Sequence, residues 1–192
     1  MKIQKIGIIA ILFIGTFLFC GCEIFEEALQ ESYASDDPTS EEYEPRFVLG
    51  VFEIVNYPRA TSLEKQINTR DGRQICINVN PIFSSRRIRA VKAVPRPGNP
   101  DVCDLELRID RMGKTQWQML SDGHRGEMLT LMIDSRHVGD FIPEHTRGYG
   151  NDEWVKIRVG MDSYTARGVA KFAKKNYSFY NPEASDWFNQ LF

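Results

Sequence analysis

Three histidines and four carboxylates fall close together in the second half of the chain, and such groups could bind a metal ion. The set comprises His124, His137, His145, Glu127, Asp134, Asp140 and Glu144. Imidazole and carboxylate are common ligands of zinc, but no H-x-x-x-H or H-E-x-x-H spacing places two of these histidines on one helix face. The sequence therefore favours solvated turn residues and predicts no catalytic residue, no metal and no cofactor. The alternative is an exported hydrolase or metal-dependent enzyme that uses residues 122–145.

Two cysteines, Cys20 and Cys22, stand at the end of an apolar run, where an exported chain can be cleaved and modified. Lys2 and Lys5 precede about 14 almost wholly apolar residues, fewer than the roughly 20 that a membrane-spanning helix needs. Gly21 supplies the small residue that a signal peptidase requires before the cleavage point. Residues 1–21 are therefore predicted to be a signal peptide, and an uncleaved helical anchor is the alternative.

The stretch around Cys22 resembles the lipobox of bacterial lipoproteins, in which a small residue precedes a cysteine that is acylated and becomes the first mature residue. Phe19 stands where that family usually has Leu. The resemblance implies lipidation at Cys22, attachment to a lipid bilayer and a place in the cell envelope. Glu23, rather than Asp, favours the periplasmic face of the outer membrane if the source is Gram-negative.

The mature chain is strongly uneven in charge. Residues 23–45 contain nine acidic residues and no Lys or Arg, whereas residues 46–192 carry 22 Lys plus Arg against 17 Asp plus Glu. A polar, acidic segment buries too little apolar surface to offset its ordering entropy. We therefore predict an acidic disordered tether over 22–45 and a single domain over 46–192, with a short helix near residues 24–33 as the competing view of the tether.

A cluster of arginines suggests a surface for an acidic partner. Arg86, Arg87 and Arg89 begin a segment that is interpreted as a helix, and they form a possible partner-binding patch. A solvated helix face is the alternative. Nucleic acid is excluded as a partner, because an exported chain with so small a basic excess lacks the electrostatic footprint of such binding.

The last residues are unusually rich in aromatic side chains, among them Trp187 and Phe188. Either this segment folds back and seals the core, or its rings form a docking surface, as aromatic anchors often do at interfaces. Both alternatives stay open.

Cys76 and Cys103 are the two cysteines of the predicted domain. An exported protein permits a disulfide between them. The alternation of the flanking residues places Cys76 opposite the apolar face of its strand and Cys103 on the apolar face of its own. A disulfide and two half-buried free thiols are both possible.

The hydrophobic pattern predicts the element order β-α-β-α-β-α-β-β-β-α. Strands are predicted in FVLGVFEIV, GRQICINVN, VCDLELRID, MLTLMID, SRHVGDFI and EWVKIRVG. Helices are predicted in TSLEKQI, RRIRAVKAV, RMGKTQWQMLSDGHRG and DSYTARGVAKFAKKN. This order indicates an α+β fold: a mixed, partly ferredoxin-like sheet with helices packed on one face.

Three stretches carry a resemblance to a known family. RQICINVNPIFSSRRIRAVKAV, DLELRIDRMGKTQWQMLSDGHRGEMLTLMIDSRHVGDFIPEH and IRVGMDSYTARGVAKFAKK are similar to the head of the first periplasmic domain of the translocase subunit SecD, over Phe47 to Lys175. The matching positions are Pro81, Asp110, Gly113, Gly126, Asp134, Pro143, Gly160 and Ala166. Ser135 stands where that family usually has Gly.

The SecD resemblance implies a fold and a habit of binding protein, but not the family's proton-coupled activity, which needs membrane helices that these stretches do not include. It implies that residues 102–110, 128–134 and 153–160 share one sheet, with the helices of 114–122 and 163–174 side by side. The function expected from the sequence is a membrane-anchored, non-enzymatic protein-binding or scaffold module, linked to export or envelope assembly.

Overall fold

The computed structural model describes residues 37, 38, 40, 42–59, 61–144 and 154–183. Its strands are β1 (Leu49–Glu53), β2 (Glu64–Asn68), β3 (Gln74–Asn78), β4 (Phe83–Ser84), β5 (Ile88–Arg96), β6 (Asn99–Ile109), β7 (Leu129–Ile133), β8 (Arg136–Phe141) and β9 (Trp154–Asp162). Its helices are α1 (Arg111–Gly123) and α2 (Ser163–Tyr180), and a 3-10 turn spans Ser85–Arg87. The predicted α+β class is confirmed.

The strands form three sheets, ordered β4-β1-β7-β8, β2-β3 and β5-β6-β9, and every pairing is antiparallel. The two larger sheets adjoin where β8 runs beside β9: a side chain at Gly139 would lie 3.4 Å from the Val159 carbonyl oxygen. The expectation that residues 128–134 share a sheet with 102–110 and 153–160 is wrong, because β7 pairs with β1 and β8.

The predicted helix over residues 61–67 is wrong, because this segment forms β2 and pairs with β3. A tight turn closes the hairpin, in which the Thr69 N–H donates to the Arg73 carbonyl oxygen at 2.8 Å. Gly72 has φ 83°, which only glycine adopts without strain. The dipeptide Asp71-Gly72 is a strong local hairpin signal, and it outweighs the helix-like spacing of Leu63 and Ile67.

The predicted helix over residues 86–94 is also wrong, because the segment forms the 3-10 turn and β5. A β-bulge explains the error: Ile88 pairs with Ile109 and Ala90 with Arg108, so Arg89 is the additional residue. The bulge lets Ile88 and Val91 both face the core at a spacing of three residues, which in the sequence imitates a helix.

Both helices begin at an aspartate that accepts a backbone N–H. Asp110 caps α1 through the Gly113 N–H at 2.6 Å, and Asp162 caps α2 through the Thr165 N–H at 2.8 Å. A side chain at Gly113 would lie 2.9 Å from Arg87 Cβ and 3.2 Å from the Asp110 carboxylate. The Asp-x-x-Gly pattern thus has a physical cause, since the capped turn passes too close to the 3-10 turn for a larger residue.

One hydrophobic core joins the two larger sheets and both helices. Trp117 of α1 is fully buried between Phe83, edge-on at 5.2 Å, and Phe141, stacked at 6.4 Å. The helix α2 packs along β5 and β6 through Ala166, Val169 and Ala173. Burial of apolar surface at this core supplies most of the stability of the fold.

The chain divides into two units between residues 44 and 45. In the described part of the first unit, the Ser40 N–H donates to Asp37 and the Tyr43 N–H to Ser40. The predicted signal peptide, Cys22 and most of the predicted tether lie outside the described residues, as do His145, Trp187 and Phe188. Among the helices described, none is both long and apolar enough to cross a membrane.

Candidate functional site: a groove between β2, β8 and α2

The predicted histidine and carboxylate cluster separates into two pairs. His124 Nδ1 lies 2.8 Å from Glu127 Oε2, and His137 Nε2 lies 3.0 Å from Asp140 Oδ1. Among the residues that the structure describes, no three His, Cys, Asp or Glu side chains are arranged to hold a metal ion. His145 is outside this part of the chain.

His137 joins the β2–β3 hairpin to β8. Its side chain is only 6% exposed, and its Nδ1 accepts the Arg70 N–H at 3.1 Å while its Nε2 faces Asp140. Because Nδ1 accepts a hydrogen bond, the ring proton is on Nε2 and is donated to the carboxylate. Both ring nitrogens are therefore used in holding the hairpin tip against the sheet.

Two adjoining cavities lie on either side of this contact, with volumes of about 580 and 420 Å³. Both are lined by Arg70, Arg136 and His137. The larger cavity is also bordered by Phe47 and by Tyr164, which is 78% exposed. We call the two cavities together the Arg70–Arg136 groove.

Three non-glycine residues with a left-handed backbone conformation border this groove. Among the described residues, Phe47, Asp134 and Ser135 are the non-glycine residues with positive φ, at 53°, 46° and 64°. All three line the groove. Asp134 and Ser135 are the two central residues of the β7–β8 hairpin, a kind of turn in which both positions have positive φ, whereas Phe47 has positive φ outside any hairpin.

Asp134 fixes the strained segment in place. Its carboxylate accepts the Phe47 N–H at 2.9 Å and the Val48 N–H at 2.7 Å, and its own N–H donates to the Val48 carbonyl oxygen. The Phe47 ring then stacks on Phe172 at 5.7 Å. The first residues of the domain are thus bound to both the β7–β8 turn and α2.

The carboxylates of the groove accept backbone N–H groups, whereas its two arginines form no close ion pair with another described residue. The Thr165 N–H, and to a lesser degree Arg70, hold the pKa of Asp162 below its usual range. In the described part of the chain, the Arg70 and Arg136 guanidinium groups form no hydrogen bond or ion pair. The excess of positive charge lies in the smaller cavity, because Asp134 and Asp162 line the larger one and no acidic residue is among the described residues that line the smaller one.

The tip of the β2–β3 hairpin carries a hydrogen-bond network around Asp71 that does not involve Arg70 or Arg136. Thr69 Oγ1 donates to Asp71, and the Arg73 Nε donates to the same carboxylate at 2.6 Å. These two hydrogen bonds lower the pKa of Asp71 to about 2. Asp71 is thereby satisfied by Thr69 and Arg73 rather than by Arg70.

The arginine patch predicted from the sequence is engaged within the chain. The Arg86 and Arg89 guanidinium groups lie over the rings of Tyr180 and Tyr177 at 5.8 and 5.9 Å, and Arg87 Nη1 lies 3.5 Å from Asp110 Oδ2. The end of α2 packs over this patch. A partner-binding role for these arginines stays a prediction.

Cys76 and Cys103 lie in different sheets, on β3 and β6, and both are free thiols in the structure. Cys103 is buried in the main core, whereas Cys76 is half-buried opposite Gln66 of β2.

Arg70, Arg136 and Tyr164 carry no motif that marks them as site residues in the sequence. Arg70 and Arg136 come together because the β2–β3 hairpin, predicted from the sequence to be partly helical, folds over the β7–β8 turn, and Tyr164 joins them from α2. The Asp71-Gly72 turn was the local signal that could have revealed the hairpin.

No family model and no curated protein matches the chain. Its structure is similar to that of SecDF, a membrane component that enhances protein export, with 15% identity and a TM-score of 0.45 over 68% of this chain and 63% of that one. SecDF in a super-membrane-facing form gives 14% identity and a TM-score of 0.44 over 68% of this chain and 19% of that one. The chain thus spans less than two thirds of both neighbours, and a similarity at this level says nothing about what it binds.

Proposed function

We propose that this protein is a lipid-anchored, non-enzymatic module of the cell envelope that binds a partner protein at the Arg70–Arg136 groove. Acylated Cys22 attaches it to the bilayer, and the acidic residues 23–45 give the domain reach from the membrane. The process served is protein export or envelope assembly, which the motifs shared with SecD imply.

We base the proposal on one groove that brings together Arg70 and Arg136, which make no close ion pair with another described residue, and the positive-φ residue Phe47. A bulky residue held at positive φ costs free energy, so the backbone of Phe47 supports a binding role for the groove, and the two exposed arginines supply charge for a ligand. The exposed rim residue Tyr164 adds an aromatic side chain of the kind enriched in protein interfaces.

The anchoring part of the proposal is tested by acyl-lipid labelling in cells. Labelling is expected to persist in Cys20→Ser and to disappear in Cys22→Ser, with release of the chain from the membrane fraction. Labelling retained in Cys22→Ser would contradict the assignment.

The binding part is tested by photo-crosslinking in living cells. With p-benzoylphenylalanine in place of Tyr164, irradiation is expected to give a discrete adduct of one size. The matched control is the same replacement of Met119 on α1, which is 69% exposed and does not line the groove. Adducts of equal pattern and yield from both positions would contradict a binding site at the groove.

A further inference from the structure

The outer edge of β2 presents unpaired backbone groups beside the groove. The Thr69 N–H donates to Arg73 and the Val79 N–H to the Leu63 carbonyl oxygen, so the odd-numbered residues of this segment bond to β3. In an antiparallel ladder the alternate residues direct their N–H and C=O groups the other way. Gln66, Asn68 and Arg70 therefore point away from β3.

That outer edge faces the smaller cavity of the groove. The Arg70 N–H, the last of the outward series, donates to His137 of β8, which places the edge beside the β7–β8 turn. The cavity is lined by all residues from Lys65 to Arg70 and, across from them, by Met132, Ser135, Arg136 and His137. In the described chain the outward backbone groups of Gln66 and Asn68 have no partner.

The side chains around this edge are positively charged. The lining of the smaller cavity includes Lys65, Arg70 and Arg136 but no acidic residue. Ile67 and Met132 provide apolar surface within it. The nearby carboxylates of Asp71 and Asp140 are already bound by Arg73 and His137.

We propose that the Arg70–Arg136 groove binds an extended acidic peptide segment of the partner protein, which adds a strand to the outer edge of β2. This inference rests on the proposed function and names the chemistry of its partner. Addition of a peptide strand to a sheet edge is a recurrent mode of recognition, in which main-chain hydrogen bonds give affinity and side-chain pockets give specificity.

A peptide fits this edge better than a small anion does. The outward groups of Gln66 and Asn68 comprise both N–H donors and C=O acceptors, and an anion would leave the acceptors facing negative charge. A peptide backbone satisfies both kinds of group, while its carboxylates can pair bidentately with Arg70 and Arg136. Alternate apolar side chains of such a segment can contact Ile67 and Met132.

The test uses the full chain, purified in detergent, and fluorescence anisotropy of labelled peptides. The acidic probe is (Glu-Val)4, and the control probes are (Lys-Val)4 and a (Glu-Val)4 that is N-methylated at alternate residues. We expect the acidic probe to bind and both controls to lose affinity by roughly 10-fold or more, since one loses the charges and the other loses the strand hydrogen bonds.

The protein variants separate the backbone and charge contributions. Gln66→Pro removes an outward N–H but no bond to β3, so it should weaken binding by roughly 10-fold relative to Gln66→Ala, with the melting temperature kept near that of Gln66→Ala. Arg70→Glu and Arg136→Glu should each weaken binding by a similar factor, whereas Arg111→Glu on α1 should not.

Absence of acidic-peptide binding, or equal binding to all variants, would overturn the inference. If phosphatidylglycerol vesicles bind more tightly than the acidic peptide, and the same arginine variants abolish that binding, the groove would be assigned to a membrane surface. This result would also overturn the inference. If the crosslink from position 164 persists while the acidic probe fails to bind, only this inference fails; if that crosslink is absent, the proposed function fails.

Discussion

Phe47 and Gly168 fit together at the start of the domain, because the Phe47 ring occupies the space that a side chain at position 168 would need. The ring lies edge-on to Tyr164 at 6.2 Å and stacks on Phe172. The Arg46 carbonyl oxygen accepts a hydrogen bond from buried Asn176 at 2.7 Å just before it. A glycine in the middle of α2 thus allows the first residues of the domain to lie against the helix and to border the groove.

Gly168→Ala tests this fit. Alanine favours a helix over glycine by about 1 kcal/mol, but overpacking against the ring costs about 1 to 3 kcal/mol. We therefore expect no gain or a net loss in the free energy of unfolding. Gly123→Ala is the control, because no neighbouring atom lies within 4 Å of the added carbon, and it should stabilise α1. Equal stabilisation by both changes would show that the Phe47 ring does not fill this space.

Ser135→Gly tests the strain in the β7–β8 turn. Ser135 has φ 64°, where a side chain costs about 1 kcal/mol or more and glycine costs little. We expect Ser135→Gly to raise the free energy of unfolding by about 1 kcal/mol in urea denaturation, and Ser135→Ala, which keeps the strain, to leave it nearly unchanged. A glycine variant no more stable than the alanine variant would contradict the strain.

Asp110→Ala should destabilise the fold more than Asp162→Ala does. Asp110 is buried and also accepts the Tyr177 hydroxyl at 3.3 Å, so its loss removes a helix cap and leaves buried donors unpaired. The expected losses are about 2 to 4 kcal/mol for Asp110→Ala and about 1 kcal/mol for the exposed cap Asp162. Equal losses on urea denaturation would argue against a role for Asp110 beyond capping.

Asp162 should also contribute to the acid sensitivity of the fold. The Thr165 N–H holds the pKa of Asp162 in the folded protein below the unfolded value of about 4. The ionised Asp162 carboxylate therefore stabilises the fold fully above about pH 4, and this stabilisation is lost as the pH falls through the folded pKa. Comparison with Asp162→Asn, which keeps a neutral cap, should show a constant difference in stability between pH 5 and 8 that shrinks below about pH 4. A stability difference between the two proteins that stays unchanged down to pH 2 would show that ionisation of Asp162 does not cause it.

The sequence predicted the parts of the fold in which local signals agree with the final structure. The alternation in β6, the apolar run of β7 and the Asp-capped helices α1 and α2 all appear where they were expected. The β2–β3 hairpin and β5 did not, because a three-residue turn and a bulged residue changed the apparent period. Periodicity alone cannot show a bulge, since its partner strand is distant in sequence.

The candidate site was less predictable than the fold. His137 and Asp134 were identified as polar residues of possible chemical use, but their structural roles are to hold Arg70 and the Phe47 segment. Arg70 and Arg136 are 66 residues apart and meet only through tertiary packing. That neither forms a close ion pair with another described residue depends on the folded chain and has no signature in the sequence.

The most direct test of protein binding at the groove is the dependence of the position 164 crosslink on the groove arginines. The adduct formed in living cells is measured in the double variant Arg70→Glu/Arg136→Glu and in the control Arg111→Glu/Arg125→Glu, which changes charge by the same amount on and after α1. Melting temperatures are measured in parallel to confirm folding. We expect loss of the adduct in the groove variant alone; an adduct of unchanged size and yield in a folded groove variant would contradict binding at the groove.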